Sequence, residues 1–103
     1  MYYVYILRSL EQEGAIYIGY TPYLKARLKS HNSGENLYSK RYAPWAIETY
    51  ISFSDEQDAK DFEKYLKGGS GKAFLQKHLI SRGFKRALKK FNNGRQSSKL
   101  KAK

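Results

Sequence analysis

Three polar side chains fall where folded helices would bury them. Between residues 21 and 31, Leu24, Arg27, Leu28 and His31 repeat at i, i+3, i+4 and i+7. That spacing puts an arginine and a histidine on the core-facing stripe with two leucines. Between residues 54 and 67, Ala59, Phe62, Glu63 and Leu66 repeat the pattern, with a carboxylate among the inward positions. Burying an unpaired charge is costly, so these groups must pair, bind a metal or line a cleft. An Arg27–Glu63 salt bridge fixing helix packing and a functional site explain the stripes equally well.

The elements that position these residues must come from one small domain. The chain has 103 residues, 41% of them hydrophobic, with 20 Lys+Arg against 9 Asp+Glu and a net charge of +11. Length and composition fit a single globular core with no room for a second. With no cysteine there is no disulfide framework, thiolate metal site or Cys nucleophile. Two histidines make a structural zinc site a poor fit. No apolar run is long enough to span a bilayer. The tyrosine-rich start, Met1 to Leu10, lacks a basic region and a cleavage site and reads as folded structure. The expected location is therefore cytoplasmic.

The charge is concentrated at the C-terminus. Residues 85–103 hold eight basic residues and no acidic one, which leaves a net of +3 for the first 84. A basic arm of this kind points to a polyanion, nucleic acid before a membrane.

Tyr2 to Arg8 and Ala15 to Tyr20 read as a hairpin of two strands, joined through Gly14. Thr21-Pro22 predicts a helix start, with the helix running to about His31 and stopping at Asn32-Ser33-Gly34. Residues 35–43 read as a polar, basic loop, and Pro44-Trp45 opens a third strand to about Phe53. Ser54 and Gln57 have capping-box spacing for a second helix, which Gly68-Gly69-Ser70-Gly71 breaks. A third helix is expected over Lys72–Arg82, closed by Gly83. Phe84, Ala87, Leu88 and Phe91 then give an amphipathic helix whose other face carries Lys85, Arg86, Lys89 and Lys90. The predicted organisation is a domain over 1–83, the basic helix over 84–94 and a disordered basic tail over 95–103. The fold class is α/β of the α+β type, with a small, mainly antiparallel three-stranded sheet flanked by helices.

The hairpin strands contain Tyr3-Val4-Tyr5 and Tyr17-Ile18-Gly19. With Arg27 and His31 on the first helix, Pro44-Trp45 before the third strand and Glu63 within Phe62–Lys67, the chain resembles the GIY-YIG nuclease family. The resemblance covers about residues 2 to 75. It is closest in character to small stand-alone members and to the N-terminal domain of the excinuclease C subunit. The first tripeptide departs at one position, having Tyr where the family name has Gly. Many members carry an asparagine soon after the helical glutamate; here the chain reads Gly68-Gly69-Ser70-Gly71-Lys72. That segment is no P-loop, since Leu66 and Ala73 stand where Gly and Ser/Thr are needed.

The resemblance implies a divalent-metal-dependent endonuclease acting on DNA. Its catalytic residues would be Tyr5, Tyr17, Arg27, His31 and Glu63. Glu63 would hold one Mg²⁺ or Mn²⁺ together with waters and substrate oxygens, which suits a cation that dehydrates reluctantly. Arg27 would grip the scissile phosphate in bidentate fashion. Tyr17 would be the general base, with Tyr5 hydrogen-bonding nearby and His31 orienting a tyrosine or water or relaying a proton. Lys40, Arg41, Lys72, Lys85, Arg86, Lys89 and Lys90 are expected phosphate contacts, which position a strand without reading its sequence. Tyr2, Tyr3, Tyr20 and Tyr23 are expected in the core or cleft walls, with base stacking the minority alternative. RNA stays open beside DNA, as does a protein partner that chooses the substrate. The competing expectation is a nucleic-acid-binding module of the same fold without catalysis; a membrane-touching protein ranks well below both.

Overall fold

The computed structural model describes residues 1–93, with side chains through Lys90. Three antiparallel strands, β1 (Tyr2–Ser9), β2 (Ile16–Thr21) and β3 (Trp45–Phe53), form one sheet in the order β2-β1-β3. The hairpin is thus as expected, and the most apolar strand, β1, takes the centre. Val4, Tyr5, Ile6 and Leu7 are all buried there because both faces are covered.

Strand alternation sorts the chemistry. Tyr3, Tyr5 and Leu7 share one face of β1, and the register sets Thr21, Gly19 and Tyr17 opposite them on β2. Tyr50 and Ser52 of β3 face Tyr5 and Tyr3 across the other ladder. Val4, Ile6, Ile16 and Ile18 occupy the second face and join Ala59, Leu66, Leu75, Ile80 and Leu88 in the core.

Helix α1 (Leu24–Asn32) begins two residues later than a Thr21 cap with Pro22 at the first helical position predicts. Thr21 remains in β2, and its hydroxyl accepts from the Tyr23 amide at 3.0 Å, closing the turn into the helix. The expected loop contains a short helix, α2 (Leu37–Lys40), whose N-cap is Asn36. The Asn36 side-chain oxygen accepts from the amides of Tyr38 (2.9 Å) and Ser39 (3.2 Å), satisfying donors that a helix start leaves orphaned.

Helix α3 (Glu56–Leu66) is capped by Asp55 rather than by Ser54. The Asp55 carboxylate accepts from the Asp58 amide, and a carboxylate at this end also gains from the helix dipole. Gln57 does not complete a capping box; it donates to Asp61. The glycine run interrupts the helix for less than a turn, since α4 (Gly69–Phe74) starts inside it and passes into a π-helical turn, Leu75–Leu79. A Cβ on Gly71 would lie 1.6 Å from the Tyr65 carbonyl oxygen, so glycine permits α4 to close against the end of α3.

The last helix, α5 (Arg82–Asn93), starts before Gly83 and includes it. The Glu48 carboxylate, placed by the β1–β3 irregularity at Ile6/Leu7, pairs with Arg8 and accepts from the Ser81 amide at 2.6 Å. Ala87 and Leu88 are buried, as their spacing predicts, and Lys85, Arg86, Lys89 and Lys90 are exposed. The Phe91 side chain and the expected disordered tail lie outside the described residues. No helix among the described residues is long and apolar enough to cross a membrane.

Candidate active site

The site is built on the sheet face that α1 and α2 cover. Tyr5 and Tyr17 stack with ring centroids 6.3 Å apart and an interplanar angle of 20°. They meet because Tyr5 faces Gly19 across the ladder and Tyr17 is two residues before it. His31, in the last turn of α1, packs against both rings, 4.5 Å from Tyr17 and 5.9 Å from Tyr5. Trp45 and Tyr38 complete the aromatic wall around Tyr17, at 6.2 and 5.8 Å.

His31 is held by both nitrogens. Its Nε2 lies 3.0 Å from the Tyr5 hydroxyl and its Nδ1 2.7 Å from the Ser39 hydroxyl. Burial, with the Arg27 charge adding to it, lowers the imidazole pKa to about 4, so the ring is neutral near pH 7. One arrangement gives every proton an acceptor. Nδ1–H donates to Ser39, Ser39 donates to the Asn36 carbonyl at 3.4 Å, and the Tyr5 hydroxyl donates to Nε2.

Burial pushes both phenols upward. Tyr5 is raised chiefly by desolvation, then by Tyr17. Tyr17 is raised by desolvation, while a hydrogen bond from Asn36 and the charge of Arg27 oppose the rise. Arg27 opposes it at Tyr5 too, by charge and by hydrogen bonding, and Glu63 acts on both phenols in the opposite sense. Arg27 and Glu63 therefore converge electrostatically on the tyrosine pair, from α1 and α3.

The stripe expectation holds for His31, which is buried, and needs correction for Arg27, which is exposed. Leu24 and Leu28 form the inner face of α1, and Arg27 stands at its edge. The Arg27–Glu63 bridge is absent among the described residues. The Glu63 carboxylate pairs instead with Lys67, one turn on in α3, at 2.7 Å.

The expected phosphate contacts fall in three places. Lys40 and Arg41 are exposed at the end of α2, beside the element that carries Tyr38 and Ser39. Lys72 lines a crevice with Lys67, the partner of Glu63. Lys85, Arg86, Lys89 and Lys90 belong to α5, where the Lys85 ammonium donates to the Lys77 carbonyl.

The family model of the GIY-YIG catalytic domain matches residues 1–79. The chain belongs to the GIY-YIG family. A UPF0213 protein of Pediococcus acidilactici is 35% identical over 85 residues, covering 80% of this chain and 84% of the relative. A UPF0213 protein of Lacticaseibacillus paracasei is 31% identical over 83 residues, 77% of this chain and 91% of its own length. A Leishmania infantum protein named as a structure-specific endonuclease subunit SLX1 homolog is 42% identical over 67 residues. That match takes in 58% of this chain and 10% of the larger protein. The GIY-YIG fold, a three-stranded antiparallel sheet with flanking helices, is the one the chain adopts.

Around the candidate site, Asn36, Tyr38, Ser39 and Lys67 touch the central residues, and sequence reasoning passed over all four. The Asn36-Leu37-Tyr38-Ser39 run carried one usable signal, an asparagine with N-cap preference inside a segment read as loop. A divalent cation fits the donor set only in part. No group of three or more His, Asp or Glu side chains among the described residues is arranged to hold a metal ion. Glu63 alone would hold the ion, and waters and substrate oxygens would complete its shell, as suits Mg²⁺.

Proposed function

We propose that the protein is a divalent-cation-dependent endonuclease that hydrolyses phosphodiester bonds in DNA. The observation that carries this reading is the convergence of Tyr5, Tyr17 and His31 in one packed cluster with Arg27 and Glu63 acting on the same two phenols. Membership of the family and similarity to a protein named as an endonuclease subunit support it.

Each residue then has a task. Arg27, exposed beside the tyrosines, grips the non-bridging oxygens of the scissile phosphate and offsets the charge that grows there. Tyr17 is the candidate general base: it takes a proton from the attacking water as the new P–O bond forms and the bond to the 3′ oxygen breaks. A phenol that burial keeps protonated must first lose its own proton, and the Asn36 hydrogen bond and Arg27 charge favour that loss. Glu63 would hold Mg²⁺ or Mn²⁺, which supplies charge neutralisation and stabilises the leaving oxygen.

Tyr5 and His31 divide differently from a simple relay. Moving the Tyr5 proton onto His31 would cross from a phenol raised above 10.0 to an imidazole of about 4. Burial opposes that transfer at both ends, disfavouring the tyrosinate and the imidazolium alike. His31 therefore acts as a positioning residue that orients the Tyr5 hydroxyl, and Ser39 fixes its tautomer.

The test is a cleavage assay on single-stranded, duplex, flap and branched DNA with Mg²⁺, Mn²⁺ or EDTA, comparing wild type with Glu63→Ala. Metal-dependent cleavage lost in the variant supports the reading. Equal cleavage by both removes Glu63 from the site. The Glu63–Lys67 pair, which occupies the carboxylate, favours a second reading, a binding module without catalysis. Salt-sensitive binding with no cleavage under any metal condition would select it. Selectivity for branched or flapped structures, a role in repair or recombination, and a partner that supplies targeting belong to the nuclease reading.

A further inference from the structure

The same sheet face continues past the candidate site into a groove of about 480 Å³. Tyr3 and Tyr50 line one wall; Tyr23 and Lys25, from the start of α1, line the other. Tyr23 is 73% exposed and Tyr50 53%, unusual values for large aromatic side chains in a 103-residue domain. Tyr3 and Tyr50 meet edge to face, with centroids 5.8 Å apart, so the wall is already ordered. No acidic side chain lines the groove, and Lys25 supplies a cation.

We propose that this groove is a stacking platform for an unpaired nucleobase of the DNA strand held at the neighbouring phosphate site. Three observations select a nucleobase over an apolar protein segment. Tyr3, Tyr23 and Tyr50 offer aromatic faces, on which any base can stack. The groove's charge suits a phosphodiester backbone. The platform is also continuous with the site: Tyr50 is the cross-strand partner of Tyr5. Tyr3 lies two residues from Tyr5 on the same face of β1, about 7 Å away by strand rise. That is about one nucleotide step of an extended strand. The proposal rests on the nuclease reading for the position of the phosphate and adds a substrate feature, an unpaired nucleotide beside the bond to be cut.

The test separates stacking from cleavage. Binding is measured in EDTA to a single-stranded oligonucleotide bearing a fluorescent adenine analogue that is quenched on stacking, and to the matching duplex. Tyr23→Ala/Tyr50→Ala should weaken single-strand binding by about tenfold or more and abolish the quench. Tyr23→Phe/Tyr50→Phe should retain both, and duplex affinity should change by less than about twofold, since phosphate contacts dominate there. Equal losses on both DNAs, or failure of the phenylalanine pair to retain the quench, would overturn the platform. So would a wild-type dimer that the alanine pair dissociates, because the face would then belong to a second copy. If the alanine pair melts early, Tyr23→Ala alone carries the test. If Glu63→Ala cleaves as wild type while the quench persists, the catalytic assignment fails and the platform stands.

Discussion

Gly19 and Tyr5 face each other across the β1–β2 ladder, and a Cβ on Gly19 would lie 2.3 Å from the Tyr5 hydroxyl oxygen. The glycine thus clears the space in which the Tyr5 ring lies between Tyr17 and His31. Gly19→Ala should displace Tyr5 and break its 3.0 Å contact with His31. The expected cost is about 1–3 kcal/mol of stability, as for other overpacked sites. Cleavage should fall further, by about 100-fold, because misplacing a reacting group by an ångström has that scale of effect. Urea midpoints and single-turnover rates measured on the same preparation check the two together. Wild-type cleavage in a destabilised variant would show that Tyr5 takes no part.

His31 makes stability depend on pH in a defined window. Its pKa falls from 6.5 to about 4 on folding, so between these values the unfolded chain binds more protons. Stability should be complete above about pH 6.5 and decline as pH drops toward 4. The decline should total on the order of 3 kcal/mol. His31→Gln keeps a polar group beside Tyr5 and Ser39 but cannot titrate, and should flatten that slope. Urea unfolding of both proteins from pH 7 to pH 4 measures it; parallel slopes would assign the acid sensitivity elsewhere.

Lys67 competes for the carboxylate that a cation would need. Lys67→Ala removes an ion pair whose members are 26% and 22% exposed, so stability should change by no more than about 1 kcal/mol. Mn²⁺ binding without DNA, followed by calorimetry or by the spectrum of the free ion, should tighten severalfold. Glu63→Ala should abolish binding at that site. Unchanged Mn²⁺ affinity in Lys67→Ala would mean that the pair opens at negligible cost.

Much of this site was legible in the chain. The stripe that buries His31 and the place of Glu63 on a helix follow from periodicity, the places of Tyr5 and Tyr17 on the hairpin from the tripeptides that carry the resemblance, and all of these survive in the fold. Arg27 did not, because a stripe shows which way a residue leans and not how far the neighbouring element extends. Lys67 was invisible for a related reason: pairing one turn along a helix competes with pairing across the fold, and spacing alone does not rank the two. The short α2 was hidden by its length. Four residues give no periodicity, and Ser39 contacts His31 only because the Asn36 cap winds that turn. The helix ends moved where two residues could cap, Ser54 or Asp55, and the carboxylate beside the helix dipole prevailed.

The basic helix makes the last test quantitative. Arg86, Lys89 and Lys90 are exposed on α5, while Ala87 and Leu88 anchor its inner face. Replacing the three cations by alanine keeps that buried face and should leave the melting temperature nearly unchanged. Each that contacts a phosphate should lower the slope of log K against log salt by about 0.9 on duplex DNA. Affinity should fall by a similar factor for every sequence, since phosphate contacts carry no base information. Deleting residues 95–103 should weaken binding in the same sequence-independent way without unfolding the domain. Titrations of the triple variant and the truncation from low to physiological salt measure both slopes. A slope equal to wild type in the triple variant would remove α5 from the DNA interface and leave Lys40, Arg41 and Lys72 as the contacts to test.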